Sequence, residues 1–178
     1  MRREIRQFPS RWWLLACGLA AASSCDPVHS HALDALGPET PGVAKGPLHR
    51  PGQPCGLCHD GALGDPPAFS VAGTVFENAG DRVAFSGATI TLTDASGRTY
   101  AATTNAAGNF YLTPQDFLPR YPMHVAVTSS ATAFTAAVTV KMQSHIGSNG
   151  SCAGCHADPP GPDSPGHVYF NQPDGGTP

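Results

Sequence analysis

The chain is short of charge. Asp, Glu, Lys and Arg make up 13% of its 178 residues, and the formal net charge is −3. With no basic excess, it lacks the electrostatic footprint for gripping nucleic acid. No apolar run reaches the ~20 residues that a helix needs to cross a membrane. There is no Ser-His-Asp set, no phosphate-cradling loop and no convergent pair of carboxylates. Long helices are also disfavoured, because 20 glycines and 18 prolines punctuate the chain. That composition suits short strands and loops.

Four of the ten Lys and Arg fall in the first eleven residues, MRREIRQFPSR. The apolar stretch WWLLACGLAAA follows and is too short to span a bilayer. This order of a basic segment and a short apolar segment is that of a secretory signal, predicted over 1–24. Beyond it the chain is clearly acidic. The sequence SSCDP then resembles the end of a bacterial lipoprotein signal, which implies that Cys25 is the lipidated first residue and a membrane anchor. Ala22 departs from that pattern, where leucine is usual, and cleavage after AAA by an ordinary signal peptidase is the rival reading. Asp26 resembles the inner-membrane retention residue of enteric lipoproteins.

Six cysteines are present, at 17, 25, 55, 58, 152 and 155. Cys17 departs with the signal, and Cys25 is used if lipidated. The other four form two pairs in PCGLCHDG and SCAGCHAD, each followed directly by a histidine. C-x-x-C-H is the attachment sequence of c-type haem. The two thiols add to the haem vinyl groups, and the adjacent imidazole binds the iron. The predicted cofactors are therefore two covalently attached haems. Cys55, Cys58 and His59 would hold one, and Cys152, Cys155 and His156 the other. A single Cys₄ zinc site would not account for the two histidines. A thioredoxin-like pair needs a βαβ context that the chain lacks. Two structural disulfides remain possible, although two-residue loops are poor staples.

The second axial ligand decides whether an iron is closed for electron transfer or open to substrates. His49 precedes Cys55 by six residues and His145 precedes Cys152 by seven, a degenerate repeat that makes them the first candidates. His167 is a weaker candidate. His29 and His31 lie in a linker, and His124 is predicted to face outward from a strand. Met123 and Met142 sit on strand faces that read as core.

Between the motifs the pattern changes. Residues 25–48 read as an irregular linker, 49–66 as the first haem-binding segment, and 143–178 as the second with an irregular tail. Residues 67–142 alternate apolar with polar, the period of half-buried strands. Ala88, Ile90 and Leu92 share a face; Met123, Val125 and Val127 share another; Phe134, Ala136, Val138, Val140 and Met142 form a third. The turn signals DASG and NAAG separate the runs. The expected fold is mainly β, a small antiparallel sandwich of six or seven strands, with DRVAF at 81–85 the doubtful one. Six strands running up and down would return both motifs to one end; seven would separate them.

The order VAGTVF, GATITLTDASGRTYAATTNAAGNFYL, HVAVT resembles the carboxypeptidase regulatory-like domain, a transthyretin-like sandwich common in exported bacterial proteins. That resemblance covers about 69–142. It implies a scaffold or binding module and carries no catalytic residues. Haem motif, sandwich and haem motif together resemble exported di-haem cytochromes. This implies an electron carrier of the bacterial periplasm or cell envelope rather than an enzyme. Its partners would be redox proteins with a basic docking surface, and no nucleic acid. A haem peroxidase with one open iron, and a redox-sensing or binding module, are the alternatives.

Overall fold

The computed structural model describes residues 26–39, 41–62, 64–80, 82–129 and 137–171. The signal segment, Cys25, Phe134 and Ala136 lie outside them. The chain divides into two units, Met1–Gly37 and Pro38–Pro178. The described part of the first unit is a helix, α1 (Pro27–Ala35), where an irregular linker is expected. Its cause is local. Asp26 caps the helix by accepting from the amides of Val28 at 2.9 Å and His29 at 3.2 Å, with proline at the first helical position. Gly37, at φ +69°, ends it.

The second unit is the expected mainly β fold, with seven strands in two sheets among the described residues. β1 (Val71–Asn78) lies between β4 (Asn109–Leu112) and β7 (Val168–Asn171). The other sheet runs in the order β3 (Thr99–Thr103), β2 (Thr89–Thr93), β5 (His124–Thr128), β6 (Thr139–Lys141). All pairings are antiparallel except β1 with β7, which is parallel. The core between the sheets includes Val71, Val75, Ile90, Leu92, Phe110, Met123 and Val127. Ala88, Ile90 and Leu92 are fully buried, as their alternation predicts.

Three elements differ from expectation. β7 falls within the tail, where Pro and Gly masked a strand of four residues. Within the doubtful DRVAF segment, residues 82–85 form no strand of their own: Ala84 makes one isolated bridge to Phe76. Val138 and Val140 are exposed (39% and 42%) rather than core, because β6 is a three-residue edge strand.

The β2–β3 turn is locked by Asp94. One of its carboxylate oxygens accepts from the Ser96 amide at 2.9 Å, the Ser96 hydroxyl at 2.6 Å and the Arg98 amide at 3.0 Å. The other accepts from the Arg98 guanidinium at 2.8 and 3.0 Å and from the Arg120 amide at 3.2 Å. The Ser96 bond first, then those from Arg98 and Arg120, outweigh burial and hold this carboxyl well below its ordinary value of 3.8. The folded state therefore takes up its proton at lower pH than the unfolded chain. The stabilisation is present above about pH 4 and is lost as the pH falls below it. Asp94→Asn should lower the melting temperature at pH 7 and flatten its fall between about pH 4 and 2. Thermal melts across that range check this; an unchanged acid limb would refute it.

Candidate functional site

The first motif begins a single helical turn, α2 (Cys55–Cys58). The amide of His59 donates back to the carbonyl of Cys55 at 2.9 Å. The second motif opens a 3-10 turn, Cys152–Gly154, and the amide of His156 donates to the carbonyl of Cys152 at 2.8 Å. Both motifs thus wind the chain so that the histidine follows one turn after the first cysteine.

Both rings are then fixed in the same way. Nδ1 of His59 lies 3.0 Å from the carbonyl oxygen of Asp65 and 2.9 Å from that of Pro67. Nδ1 of His156 lies 2.7 Å from the carbonyl oxygen of Gly166. A carbonyl can only accept, so Nδ1 carries the proton in each ring and Nε2 keeps its lone pair. A histidine held by a backbone carbonyl through one nitrogen is oriented to ligate through the other. Sequence spacing identifies the two histidines but not these carbonyls, which lie six to ten residues further along irregular chain.

The four thiols are free. Burial raises the Cys55 and Cys58 thiols above their ordinary value, and pushes Cys152 up to about 12, with the nearby Cys55 adding to it. A Cys₄ zinc site needs four thiolates converging on one point. Among the described residues, no three His, Cys, Asp or Glu side chains converge in that way. Two thiols and the histidine directly after them are the donor set that covalent haem requires, once at each motif.

Both motifs are seated on β1. Residues 71–76 are all buried, on both faces of the strand. The Gly52 amide donates to the Thr74 hydroxyl at 2.8 Å, and that hydroxyl donates to Asn109 Oδ1 at 2.7 Å. The Asn109 amide group donates to the carbonyls of His49 at 3.0 Å and Pro47 at 3.3 Å. These bonds hold the segment leading into the first motif. The second motif reaches β1 edge-on. Gly150 accepts from the Ala72 amide at 2.9 Å, and Ser151 bridges Ala72 in parallel. Cys152 lies against Gly73, where a Cβ would come within 2.8 Å of the cysteine Cβ.

The motifs therefore meet. The Gly56 amide lies 3.4 Å from the Ser151 hydroxyl. Six strands separate the two motifs in sequence, and β7 comes after both. Asp158 adds a second tie. Its amide donates to Gly52 at 3.2 Å, and its carboxylate pairs with Arg82 at 2.6 Å and His167 at 3.1 Å.

The candidate distal histidines are placed differently. The His49 ring lies 6.0 Å from that of His59, at an interplanar angle of 17°. Its Nδ1 accepts from the Gly46 amide at 3.0 Å. Ligation through Nε2 would shift the proton to Nδ1 and release that bond, worth about 0.5–1.5 kcal/mol. His145 is exposed and packs edge-on to His124, with ring centroids 6.2 Å apart. His167 is buried, stacked on Phe76 at 4.3 Å and bound to Asp158 through Nε2. It directly follows Gly166, whose carbonyl oxygen lies 2.7 Å from Nδ1 of His156, and its own Nδ1 is buried without a hydrogen-bond partner.

No family model, curated protein or solved structure matches this chain. The functional reading rests on the residues themselves.

The Thr74 hydroxyl is the joint between strand and motif. Thr74→Val keeps the shape but leaves the buried Gly52 amide and Asn109 oxygen without it, at about 1–3 kcal/mol per group. Denaturant unfolding should show a loss in that range, and Thr74→Ser should recover most of it. A Thr74→Val chain as stable as the parent would rule out this role.

Proposed function

We propose that this chain is an exported di-haem c-type cytochrome that passes single electrons by outer-sphere transfer in the bacterial cell envelope. The observation that carries the reading is the shared geometry of the two motifs. In each, the histidine amide returns to the first cysteine, and the ring is pinned through Nδ1 so that Nε2 is free. Cys55 and Cys58 would bind one haem through sulfur with His59 below the iron; Cys152, Cys155 and His156 would do the same for the other. When bound, each haem supplies a one-electron couple. The protein supplies attachment, orientation and burial.

The sandwich acts as the holder, in keeping with its resemblance to carboxypeptidase regulatory-like domains. The contact between Gly56 and Ser151 supports exchange between the two centres. Beside the first motif, the rings of His59, Phe69 and Tyr111 stack in sequence at 4.3 and 4.8 Å, and Tyr111 is 39% exposed. No helix among the described residues is long and apolar enough to cross a membrane. Residues 1–24 would direct export, and a lipid on Cys25 would tether the product. The acidic balance beyond residue 24 favours a redox partner with a basic face.

Expression of the whole chain beside a working cytochrome c maturation apparatus tests the proposal. The purified protein should be red and carry two haems that survive denaturation. Replacing Cys55 and Cys58 with alanine should leave one haem, as should replacing Cys152 and Cys155; replacing all four should leave none. A colourless product, or one that carries zinc, would end this reading. The bimolecular rate of electron exchange with a basic partner should also fall as ionic strength rises. A rate indifferent to salt would refute the charge argument alone.

A further inference from the structure

The rings of His59, Phe69 and Tyr111 form a continuous stack from the first motif to the surface. Their centroids are 4.3 and 4.8 Å apart, with interplanar angles of 31° and 22°. His59 is buried, Phe69 is half-buried and Tyr111 is exposed. The backbone sets this order. The Phe69 amide donates to the His59 carbonyl at 2.8 Å, and the next amide, that of Ser70, donates to the Leu112 carbonyl at 2.8 Å. Phe69 is thereby held between the motif and β4, and Tyr111 stacks on it from an edge strand. A single exposed tyrosine needs no explanation. One that ends a stack of rings leading to a motif histidine does.

The charge around the stack has one sign. Asp60 directly follows His59, and the Asp65 carbonyl oxygen lies 3.0 Å from His59 Nδ1. The Asp116 carboxylate accepts at 2.9 Å from the amide of Thr113, two residues past Tyr111. All three aspartates are exposed. The stretches 51–81 and 99–119, which build this face, contain no Lys or Arg. Around Cys58 the charges of Arg50 and Lys45 are set against those of Asp65 and Glu39, and Arg50 is paired with Glu39 at 3.5 Å. A tyrosine at the centre with charges at the rim is the anatomy of a protein interface, and redox encounters use small ones.

We infer that this face, centred on Tyr111, is where a basic redox protein docks, and that the stack carries the electron between that partner and the first centre. This rests on the haem reading and deepens it by naming the face and the centre that meets the partner. One electron passes from the reduced iron of the first centre, which becomes ferric, to a one-electron acceptor in the partner, which is reduced. The three rings keep their own oxidation state, and no proton or atom moves. The opposite direction balances in the same way.

The probe is a basic single-haem cytochrome c. With zinc in place of its iron it binds without exchanging electrons in the dark, so calorimetry reads docking alone. At low salt, Asp65→Lys should weaken its affinity for the intact, haem-loaded protein about tenfold. His59 uses only the backbone carbonyl of Asp65, so this change leaves the ring's bond in place. Glu77→Lys makes the same change in net charge about 20 Å along β1 from Val71, and should weaken binding less than about twofold. At ~0.5 M salt the two variants should bind alike. With the iron-containing probe, stopped-flow exchange should be about tenfold slower for Tyr111→Ala, and Tyr111→Phe should recover most of the loss. Of the two single-haem forms, the one without Cys55 and Cys58 should be the slower.

Equal weakening by the two charge reversals at low salt overturns the inference. So does a Tyr111→Ala protein that exchanges electrons at the parental rate, or the reverse order of the single-haem forms. Each of these results leaves the di-haem reading standing. A protein without haem defeats that reading at its root, and haem content measured first tells the cases apart.

Discussion

β1 has two faces to cover, and the way it covers them organises the molecule. One face packs Val71 and Val75 into the core between the sheets. The other carries Ala72, Thr74 and Phe76, and it is covered by chain from outside the sandwich. The Gly52 segment lies on Thr74, and His167 lies on Phe76. A buried threonine hydroxyl needs partners, and here they come from the cysteine-bearing segment and from Asn109 of β4. The same bonds that satisfy the strand also dock the site. Losing them would expose a sheet face as well as loosen the first motif.

This arrangement explains why two short, local motifs are separated by some ninety residues of β-structure. Each C-x-x-C-H turn is local; its backbone bonds span four residues. Nothing in such a turn fixes where the other turn will lie. Their meeting at Gly56 and Ser151 is a tertiary event. It follows from the path of the chain: out of β1, through the second sheet and β4, back through β5 and β6, and then along β1 again at Ser151. The expectation that six intervening strands bring the motifs to one side holds in count, although the path alternates between sheets instead of running simply up and down.

The sandwich was legible wherever both strand faces were distinct. β2 shows the clean alternation that puts Ile90 and Leu92 inside, and Met123, just ahead of β5, and Val127 within it are buried as well. At the margins the pattern misleads. Val138 and Val140 alternate correctly, but β6 is only three residues long at the end of its sheet, and none of them is covered. β7 is four residues in a Pro- and Gly-rich tail, and its place is set by pairing with β1, which no local pattern encodes. α1 could have been foreseen from the Asp-Pro start and the Leu-Gly stop around an otherwise unremarkable run.

The two motifs stand out in the sequence because each is a short fixed spacing, and each forms a compact local turn. The residues opposite the motif histidines do not stand out in that way, and the reason is physical. His49 and His145 look equivalent along the chain, each a few residues ahead of a motif. Yet the His49 loop begins next to the strand that receives it. The His145 loop begins on the far sheet, pinned by the bridge between Met123 and Ile146, and it spends Gly147–Gly150 crossing to β1. A repeat in sequence becomes a repeat in structure only when both copies leave from equivalent places. Here one histidine arrives at its motif and the other stays behind. The likeness of the two motifs is therefore confined to the residues within them, and what surrounds each motif is set by the fold around it.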